Sequence, residues 1–272
     1  MSNNLQNITG TLVLAGAGKM GGAMLEGWLA LGLDPAKVAI QEPQPAPDIA
    51  ALAPRGVRIN PASLGDASVI VIAVKPQVAA DVVPALKGLV RPGTVAVSVM
   101  AGKTLRFLEG ALGNCAIVRS IPNTPAAIGR GITVAVPNAK VSAAQRALSH
   151  TLLSSVGAVE WVDDEGLIDA STAVSGSGPA YVFLLAESLA RAGAAAGLPA
   201  DLAARLARVT VAGSGELLHQ SPLDAATLRQ NVTSPAGTTA AALAVLMAAD
   251  GLDPLMEKAV AAATKRSREL AG

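Results

Sequence analysis

Glycines in a fixed pattern mark the first place where this chain could do chemistry. Residues 16–21 read Gly-Ala-Gly-Lys-Met-Gly, after an apolar run and before a helical pattern. Glycines at this spacing let a turn close and let the backbone approach a pyrophosphate at a helix N-terminus. The pattern predicts a dinucleotide site made of Gly16, Ala17, Gly18, Lys19, Met20 and Gly21. The alternative is a glycine-rich turn that holds no ligand.

An acidic residue follows the second predicted strand, about 20 residues past the glycines, where dinucleotide folds place a carboxylate. This residue is Glu42, and no arginine follows it immediately. A carboxylate here can bind the ribose hydroxyls of NAD, and it repels the 2′-phosphate of NADP. Glu42 by itself therefore favours NAD, unless its side chain points into solvent.

Small or polar residues follow three further predicted strands, at residues 73–77, 98–102 and 119–125. Ligands of doubly wound sheets bind beyond the carboxyl ends of the strands. We therefore expect these segments to form one wall of a crevice. Lys75 either neutralises charge on a ligand there or only lines the loop. The candidate residues in this wall are Ala73, Val74, Lys75, Pro76, Ala101 and Gly102.

Two clusters rich in Gly, Ser and Thr lie in the second half of the chain. Residues 175–181 read Ser-Gly-Ser-Gly-Pro-Ala-Tyr, and residues 233–239 read Thr-Ser-Pro-Ala-Gly-Thr-Thr. Gly and Pro ahead of an apolar helix leave backbone N–H groups unpaired, which suits a carboxylate or a phosphate. Each cluster is either an anion site or a helix break used in packing.

The elements that must position these residues follow from the apolar pattern. Runs rich in Val and Ile predict strands at 11–15, 38–41, 69–74, 95–99 and 116–119, with helices at 20–31 and 77–89. Strands that are apolar throughout are typical of a parallel sheet covered on both faces. After residue 163, Ala/Leu-rich segments predict helices at 178–196, 200–219, 236–249 and 254–270.

The predicted fold class is α/β, with two domains. An N-terminal Rossmann-type doubly wound sheet spans residues 1–162, and an all-helical C-terminal domain for substrate binding and dimerisation spans residues 163–272. Helices so rich in Ala and Gly can approach closely, which indicates an interface between subunits. A monomeric Ala-rich bundle is the alternative.

Composition excludes several classes of protein. Lys and Arg number 21 against 20 Asp and Glu, so there is no basic excess of the kind that neutralises nucleic-acid phosphates. No apolar run reaches the roughly 18 residues that a membrane span needs. A single cysteine and two histidines predict neither a disulfide nor a metal site, and favour a reducing compartment. We expect a soluble cytoplasmic protein.

Taken in chain order, the motifs resemble those of the pyrroline-5-carboxylate reductase family over nearly the whole chain. The resemblance rests on residues 16–21, 73–76, 100–102, 122–125, 165–170 and 175–181, and most specifically on 231–239. It implies the last step of proline biosynthesis, in which a reduced nicotinamide gives a hydride to the C=N carbon of 1-pyrroline-5-carboxylate. The implied cofactor is NADP(H) or NAD(H).

The resemblance also implies roles for individual residues. Backbone amides near Ser234, Gly237 and Thr238 would meet the substrate carboxylate, with Glu165 near the substrate. Thr239 would place its hydroxyl by the ring nitrogen as the catalytic residue; alternatively it only shapes the pocket or caps a helix. Asn231 would reach the cofactor, and Asn60 would contact its adenosine side.

Quaternary structure is a further implication of the resemblance. Members interleave their helical domains as homodimers, with active sites across the interface, and often assemble five dimers into a decamer. The chain departs from the family pattern at Glu42, where many members carry small or basic residues and favour NADPH, and at Ile121 and Ala236. The choice between the two cofactors stays open at this point.

Two other functions compete with the reductase. A related imine or β-hydroxyacid reductase could share the same two-domain plan, but β-hydroxyacid enzymes typically need a Lys on the long helix, and residues 178–196 contain none. A non-catalytic nicotinamide sensor would keep the glycines at 16–21 but would have no need of the cluster at 233–239.

Overall fold

The chain forms two compact units. A computed structural model describes residues 5–6 and 8–271. One unit contains the described residues up to Gly176 together with those from Thr264 onward, and the other contains Ser177–Ala263.

The first unit is built on an eight-stranded sheet with the order β3-β2-β1-β4-β5-β6-β7-β8. Its first six strands have the order typical of a Rossmann fold, with a topological switch point between β1 and β4. All neighbours pair in parallel except β6 and β7, which are antiparallel. The strands are β1 Thr11–Ala15, β2 Val38–Gln41, β3 Arg58–Ile59, β4 Ala67–Ile72, β5 Val95–Ser98, β6 Ala116–Pro122, β7 Gly131–Pro137 and β8 Gly157–Trp161.

Alternation along the strands buries both faces of the sheet. In β1, Leu12 and Leu14 belong to one apolar cluster, and Val13 and Ala15 belong to another. Successive strand side chains point to opposite faces, so a strand covered on both sides must be apolar throughout. This confirms the predicted doubly wound sheet.

Six α-helices lie in this part of the chain: α1 Lys19–Ala30, α2 Pro47–Ala50, α3 Ala79–Ala85, α4 Leu105–Leu112, α5 Ala143–Leu153 and α6 Leu167–Ser171. One face of the sheet packs with residues of α1 and α5, and the other with residues of α3 and α4. The fully buried Trp28 of α1 donates its Nε1–H to the Leu152 carbonyl at 2.9 Å, which ties α1 to the end of α5.

The structure differs from the sequence prediction in two respects in this unit: one helix is shorter, and three strands were not predicted. The helix predicted at 77–89 consists of the short α3 between two 3-10 turns. Pro84 has no N–H to donate within the helix, and α3 ends one residue after it. Three strands were missed: β3, β7 and β8. β3 has only two residues, and β8 alternates half-buried with exposed residues at the sheet edge, so neither has the continuous apolar run that identifies a buried strand.

The remaining helices confirm that the strands end before residue 163. They are α7 Gly178–Ala195, α8 Ala200–Gln220, α9 Ala225–Asn231, α10 Thr238–Leu246 and α11 Leu252–Ala271. Helix α10 begins two residues later than predicted, because Ala236 has a φ of +57° and Gly237 is the N-cap. No helix among the described residues is long and apolar enough to cross a membrane.

The helical unit buries little of its apolar surface within one chain. Helices α7 and α8 pack closely, and a Cβ on Gly193 would lie 3.2 Å from the Ala203 side chain. Yet α7 contains no buried residue, and Phe183 is 63% exposed. Surface of this kind typically marks a binding interface.

Candidate active site

The glycine-rich loop between β1 and α1 has the geometry that the fingerprint predicts. Gly16 has a φ of +89°, and a Cβ there would lie 2.7 Å from the Ala73 carbonyl oxygen after β4. A Cβ on Gly21 would collide with the Gly16 carbonyl. A Cβ on Gly18, by contrast, would meet no described atom within 4 Å. The outer glycines therefore close the turn, and the middle one leaves room for a ligand against the backbone.

A cavity of about 710 Å³ lies against this loop, at the carboxyl ends of β1, β2 and β4. This is the topological switch point of the sheet, where doubly wound folds bind their ligands. Seven of the predicted cofactor residues line it: Gly16, Gly18, Glu42, Asn60, Ala73, Val74 and Lys75. The other loop residues, Ala17, Lys19, Met20 and Gly21, lie in or next to the same turn, and Pro76 begins the 3-10 turn after β4.

Glu42 points toward the glycine-rich loop instead of into solvent. Its Oε2 accepts the Ala17 N–H at 3.0 Å, and its Oε1 accepts the Gln44 N–H at 3.2 Å. Asn60 fixes the Glu42 backbone: its Oδ1 accepts the Glu42 N–H at 2.9 Å, and its Nδ2 donates to the Glu42 carbonyl at 2.8 Å. A carboxylate is thus held at the end of β2, on the wall of the cavity.

Sequence reasoning missed one wall of the cavity. This wall is formed by residues of α3 and of the turn before it, none of which belongs to a predicted motif: Val78, Asp81, Val82 and Ala85. Spacings of three and four residues place them on one helix face. The switch of the apolar pattern from strand to helix after Val74 could have located this wall, although it could not have identified which face meets the cavity.

The loop after β5 holds the predicted residues Ala101 and Gly102, which do not line the cavity at the switch point. Gly102 has a φ of +68°, and a Cβ there would lie 3.2 Å from the Leu270 carbonyl in the last turn of α11. Ser98 orders the start of the loop, because its Oγ accepts the Met100 N–H at 3.3 Å. The close approach of Leu270 requires a glycine at this turn.

Glu165 lies just before α6, in the same unit as the sheet, and it is paired with a residue that sequence reasoning did not select. Its Oε1 accepts a hydrogen bond from the Leu105 N–H at 2.7 Å and another from the guanidinium Nη1 of Arg119, with which it forms a salt bridge. The Arg119 side chain is only 4% exposed, and that of Glu165 is 31% exposed. A buried arginine inside an apolar strand is the signal that could have drawn attention to this pair.

The first Gly/Ser cluster begins within a π-helical turn, Thr172–Gly176, which follows α6 directly. Asn123, after β6, fixes this turn: its Nδ2 donates to the Ser175 carbonyl at 3.1 Å, and its Oδ1 accepts the Ile132 N–H at 2.9 Å. Single π turns recur at functional sites. The two hydrogen bonds of Asn123 anchor the start of this cluster to the end of β6.

The second cluster lies in the helical unit and forms the start of α10. Asn231 is the last residue of α9, and Gly237 is the N-cap of α10, followed by Thr238 and Thr239. A Cβ on Gly237 would collide with the Ser234 Oγ and lie 3.2 Å from the Ser234 carbonyl oxygen, so a larger residue would require the serine side chain to rotate. The first backbone N–H groups of a helix have no partner within it, so this start can receive an anion.

The only cysteine of the sequence, Cys115, does not form a second reactive site. Burial raises the pKa of the Cys115 thiol, and its Sγ contacts the Ala116 carbonyl at 3.3 Å. A buried neutral thiol is unreactive. Among residues 5–6 and 8–271, no group of three or more His, Cys, Asp or Glu side chains could hold a metal ion.

Known proteins match both parts of the chain. Residues 165–270 match the family model for pyrroline-5-carboxylate reductase dimerisation, which supports oligomerisation through the helical half. Residues 11–102 match the model for NADP oxidoreductase, coenzyme F420-dependent. A pyrroline-5-carboxylate reductase of Pseudomonas aeruginosa is 41% identical over 267 residues, which cover 97% of each chain.

Solved structures agree with these matches. A pyrroline-5-carboxylate reductase from Coxiella burnetii has a TM-score of 0.89 and 33% identity, covering 97% of this chain and 100% of that one. Pyrroline carboxylate reductase from Plasmodium falciparum, crystallised with NADP bound, has a TM-score of 0.80 and 28% identity, covering 99% and 100%. The predicted resemblance is confirmed: this chain belongs to the pyrroline-5-carboxylate reductase family.

Proposed function

We propose that this chain catalyses the NAD(P)H-dependent reduction of 1-pyrroline-5-carboxylate to L-proline. The observation that carries the proposal is 41% identity to a pyrroline-5-carboxylate reductase across 97% of both chains. The cavity at the switch point of a Rossmann sheet supports it independently, because a dinucleotide binds at that place in such folds.

The residues around this cavity fit a nicotinamide dinucleotide. The open space over Gly18 and the start of α1 receive the pyrophosphate. Glu42 and Asn60 serve the adenosine side, Lys75 lines the same cavity and serves the cofactor there, and Ala101, Gly102 and Asn231 serve the nicotinamide side. When bound, the reduced cofactor supplies the hydride. A substrate that enters as the iminium already carries the proton on its ring nitrogen, so the protein needs no strong acid or base for bond formation.

The chain's own contribution is orientation of the substrate. The start of α10, from Ser234 to Thr238, binds the substrate carboxylate through backbone N–H groups, and Glu165 lies beside the ring. Placement alone supplies roughly 7–11 kcal/mol in well-oriented reactions. Thr239 holds its hydroxyl at the ring nitrogen, which becomes more basic as the imine carbon is reduced.

Charges on the cavity wall set the cofactor preference. Glu42 and Asp81 are acidic and Lys75 is the basic residue among the lining side chains. The 2′-phosphate of NADPH would approach the fixed Glu42 carboxylate, whereas the 2′-hydroxyl of NADH can donate to it. NADH is therefore used well, and the preference for NADPH is weaker than is usual in the family.

The working unit is a homodimer with the active site at its interface, either alone or as one of five dimers in a decamer. The exposed apolar side chains of α7 and α8, including Phe183, Leu184 and Val209, support a covered face in the assembly. The functional boundary between the cofactor domain and the substrate domain lies between residues 162 and 163. The enzyme works in the cytoplasm.

A coupled measurement tests this function. Purified protein is mixed with 1-pyrroline-5-carboxylate and either NADH or NADPH, and the loss of cofactor absorbance is compared with the proline formed. One proline for each cofactor oxidised is the expected result. Absence of proline with both cofactors would exclude the proposed reaction.

A further inference from the structure

A buried arginine, Arg119, lies next to the proposed substrate site, and the packing of the fold alone does not explain why a charged residue is buried there. Arg119 lies in the middle of β6, opposite Ser98 of β5 and Val136 of β7, and its side chain is 4% exposed. Its Nη1 contacts the Glu165 carboxylate, while its Nε is buried without a hydrogen-bond partner in the described part of the chain. Removing the two charges of a buried ion pair from water costs free energy that offsets much of their attraction. The pair is therefore weak evidence that Arg119 stabilises the fold.

The pair joins three segments that meet at the carboxyl ends of the strands. Glu165 Oε1 accepts both from Arg119 and from the Leu105 N–H at the first residue of α4. Helix α4 follows the loop that holds Ala101 and Gly102. Arg119 therefore fixes, through a single carboxylate oxygen, both the acid before α6 and the helix that follows this loop.

The other oxygen of Glu165 is left available. Oε2 takes no hydrogen bond from the residues that the structure describes, and the side chain is 31% exposed. With Oε1 saturated by two donors, the rotation of the carboxylate is set, and Oε2 has a fixed direction. Fixing a group before its ligand arrives reduces the entropy lost on binding.

We propose that Arg119 is a positioning residue for substrate binding: it holds Glu165 so that the second carboxylate oxygen meets 1-pyrroline-5-carboxylate. The proposal rests on the proposed function, in which Glu165 lies beside the substrate. Arg119 itself does not contact the substrate, because the arginine side chain is almost completely buried.

Four variants test the proposal: Arg119→Gln, Arg119→Lys, Glu165→Gln and the double variant Arg119→Gln/Glu165→Gln. For each, kcat and the KM values for 1-pyrroline-5-carboxylate and for reduced nicotinamide are measured below the unfolding temperature. Arg119→Gln should raise the substrate KM about tenfold to a hundredfold, as expected for a lost hydrogen bond to a charged group. The cofactor KM should stay within about twofold, because uniform binding of the cofactor is untouched.

The remaining variants separate positioning from folding. Glu165→Gln should raise the substrate KM comparably, and the double variant should be no worse than either single one, since both act on one interaction. Arg119→Lys keeps the charge and should recover part of the loss; it also serves if Arg119→Gln does not fold. Arg91→Gln, which breaks the exposed pair with Asp66, and Trp28→Phe, which weakens the core, are controls for charge and for stability.

The outcomes distinguish this inference from the function on which it rests. A wild-type protein without turnover would exclude the proposed function and this inference with it. If the wild type is active and Arg119→Gln (or Arg119→Lys, where that variant alone folds) loses only thermal stability, with an unchanged substrate KM, the pair is structural and the inference is wrong. An equal rise in both KM values would also overturn it.

Discussion

The Glu42 carboxylate and the Ala17 amide join the end of β2 to the glycine-rich loop, with 3.0 Å between Oε2 and the backbone nitrogen. The side chain is thereby held on the cavity wall by two backbone N–H groups, those of Ala17 and Gln44. With the cofactor bound as proposed, this negative charge would repel a phosphate on the ribose, because the side chain cannot swing away without losing both hydrogen bonds.

Glu42→Gln should shift the cofactor preference toward NADPH. The amide oxygen can still accept from Ala17, so the change removes the charge and keeps the loop contact, at the cost of the Gln44 N–H bond, which the amide nitrogen cannot accept. We expect the ratio of kcat/KM for NADPH to kcat/KM for NADH to rise about tenfold, the equivalent of about 1.4 kcal/mol of relieved repulsion. Glu26→Gln, on the exposed face of α1, is the matched control. An unchanged ratio in Glu42→Gln would show that this carboxylate does not sense the 2′-phosphate.

Thr239→Ala should lower kcat about tenfold, the usual effect of one lost hydrogen bond, and leave the cofactor KM unchanged. Thr239→Ser keeps the hydroxyl and should retain most of the activity. The measurement is steady-state turnover with 1-pyrroline-5-carboxylate, with thermal midpoints recorded alongside. Turnover of Thr239→Ala equal to that of the wild type would remove this residue from the mechanism.

Cys115 should react with an aromatic disulfide reagent only when the protein opens. Its side chain is buried, and burial raises its pKa, so the thiol stays neutral and non-nucleophilic at neutral pH. We expect the native protein to react more than about a hundredfold slower than the protein in denaturant, because reaction requires local unfolding. Cys115→Ser serves as the blank. Rapid stoichiometric reaction of the folded protein would contradict the buried placement.

Asp224 should make the stability of the helical unit depend on pH. Its carboxylate accepts the Thr227 N–H at 2.7 Å as the N-cap of α9, which lowers its pKa. A lowered folded-state pKa means that this stabilisation is present above the unfolded pKa and is lost as pH falls through the folded one. Asp224→Ala should therefore have a lower thermal midpoint than the wild type at pH 7, and the difference should shrink by about pH 3.

The control for this cap is Asp224→Asn, since an asparagine can also accept at an N-cap. It should be close to the wild type at about pH 7 and should lack the change with pH that comes from this carboxyl group. If the difference between the wild type and Asp224→Ala were the same at both pH values, the capping account would be wrong.

The sequence was most informative where one short segment determines its own geometry. The glycines at 16, 18 and 21 and the apolar runs of β1 and β2 each carry their signal within a few residues, and the structure has the strands at the predicted bounds. The family membership predicted from the later motifs is likewise confirmed.

Contacts between distant segments were beyond the reach of sequence reasoning. The Arg119–Glu165 pair joins residues 46 positions apart, and the Asn123–Ser175 contact joins residues 52 apart. Each depends on the antiparallel β7 and on the path of α6, which no local pattern specifies. For the same reason the wall formed by Val78, Val82 and Ala85 was missed: periodicity places them on one helix face but does not say what that face meets.

Transfer of a deuterium label tests the central claim most directly. The protein is incubated with 1-pyrroline-5-carboxylate and a reduced nicotinamide deuterated at C4 on the transferred face, and the proline is analysed by mass spectrometry and NMR. The proposed reaction predicts one deuterium per proline, on the ring carbon that was the imine carbon. Unlabelled proline, formed while the deuterium leaves the nicotinamide, would contradict the account. So would the absence of proline with both cofactors, whichever face of C4 carries the label.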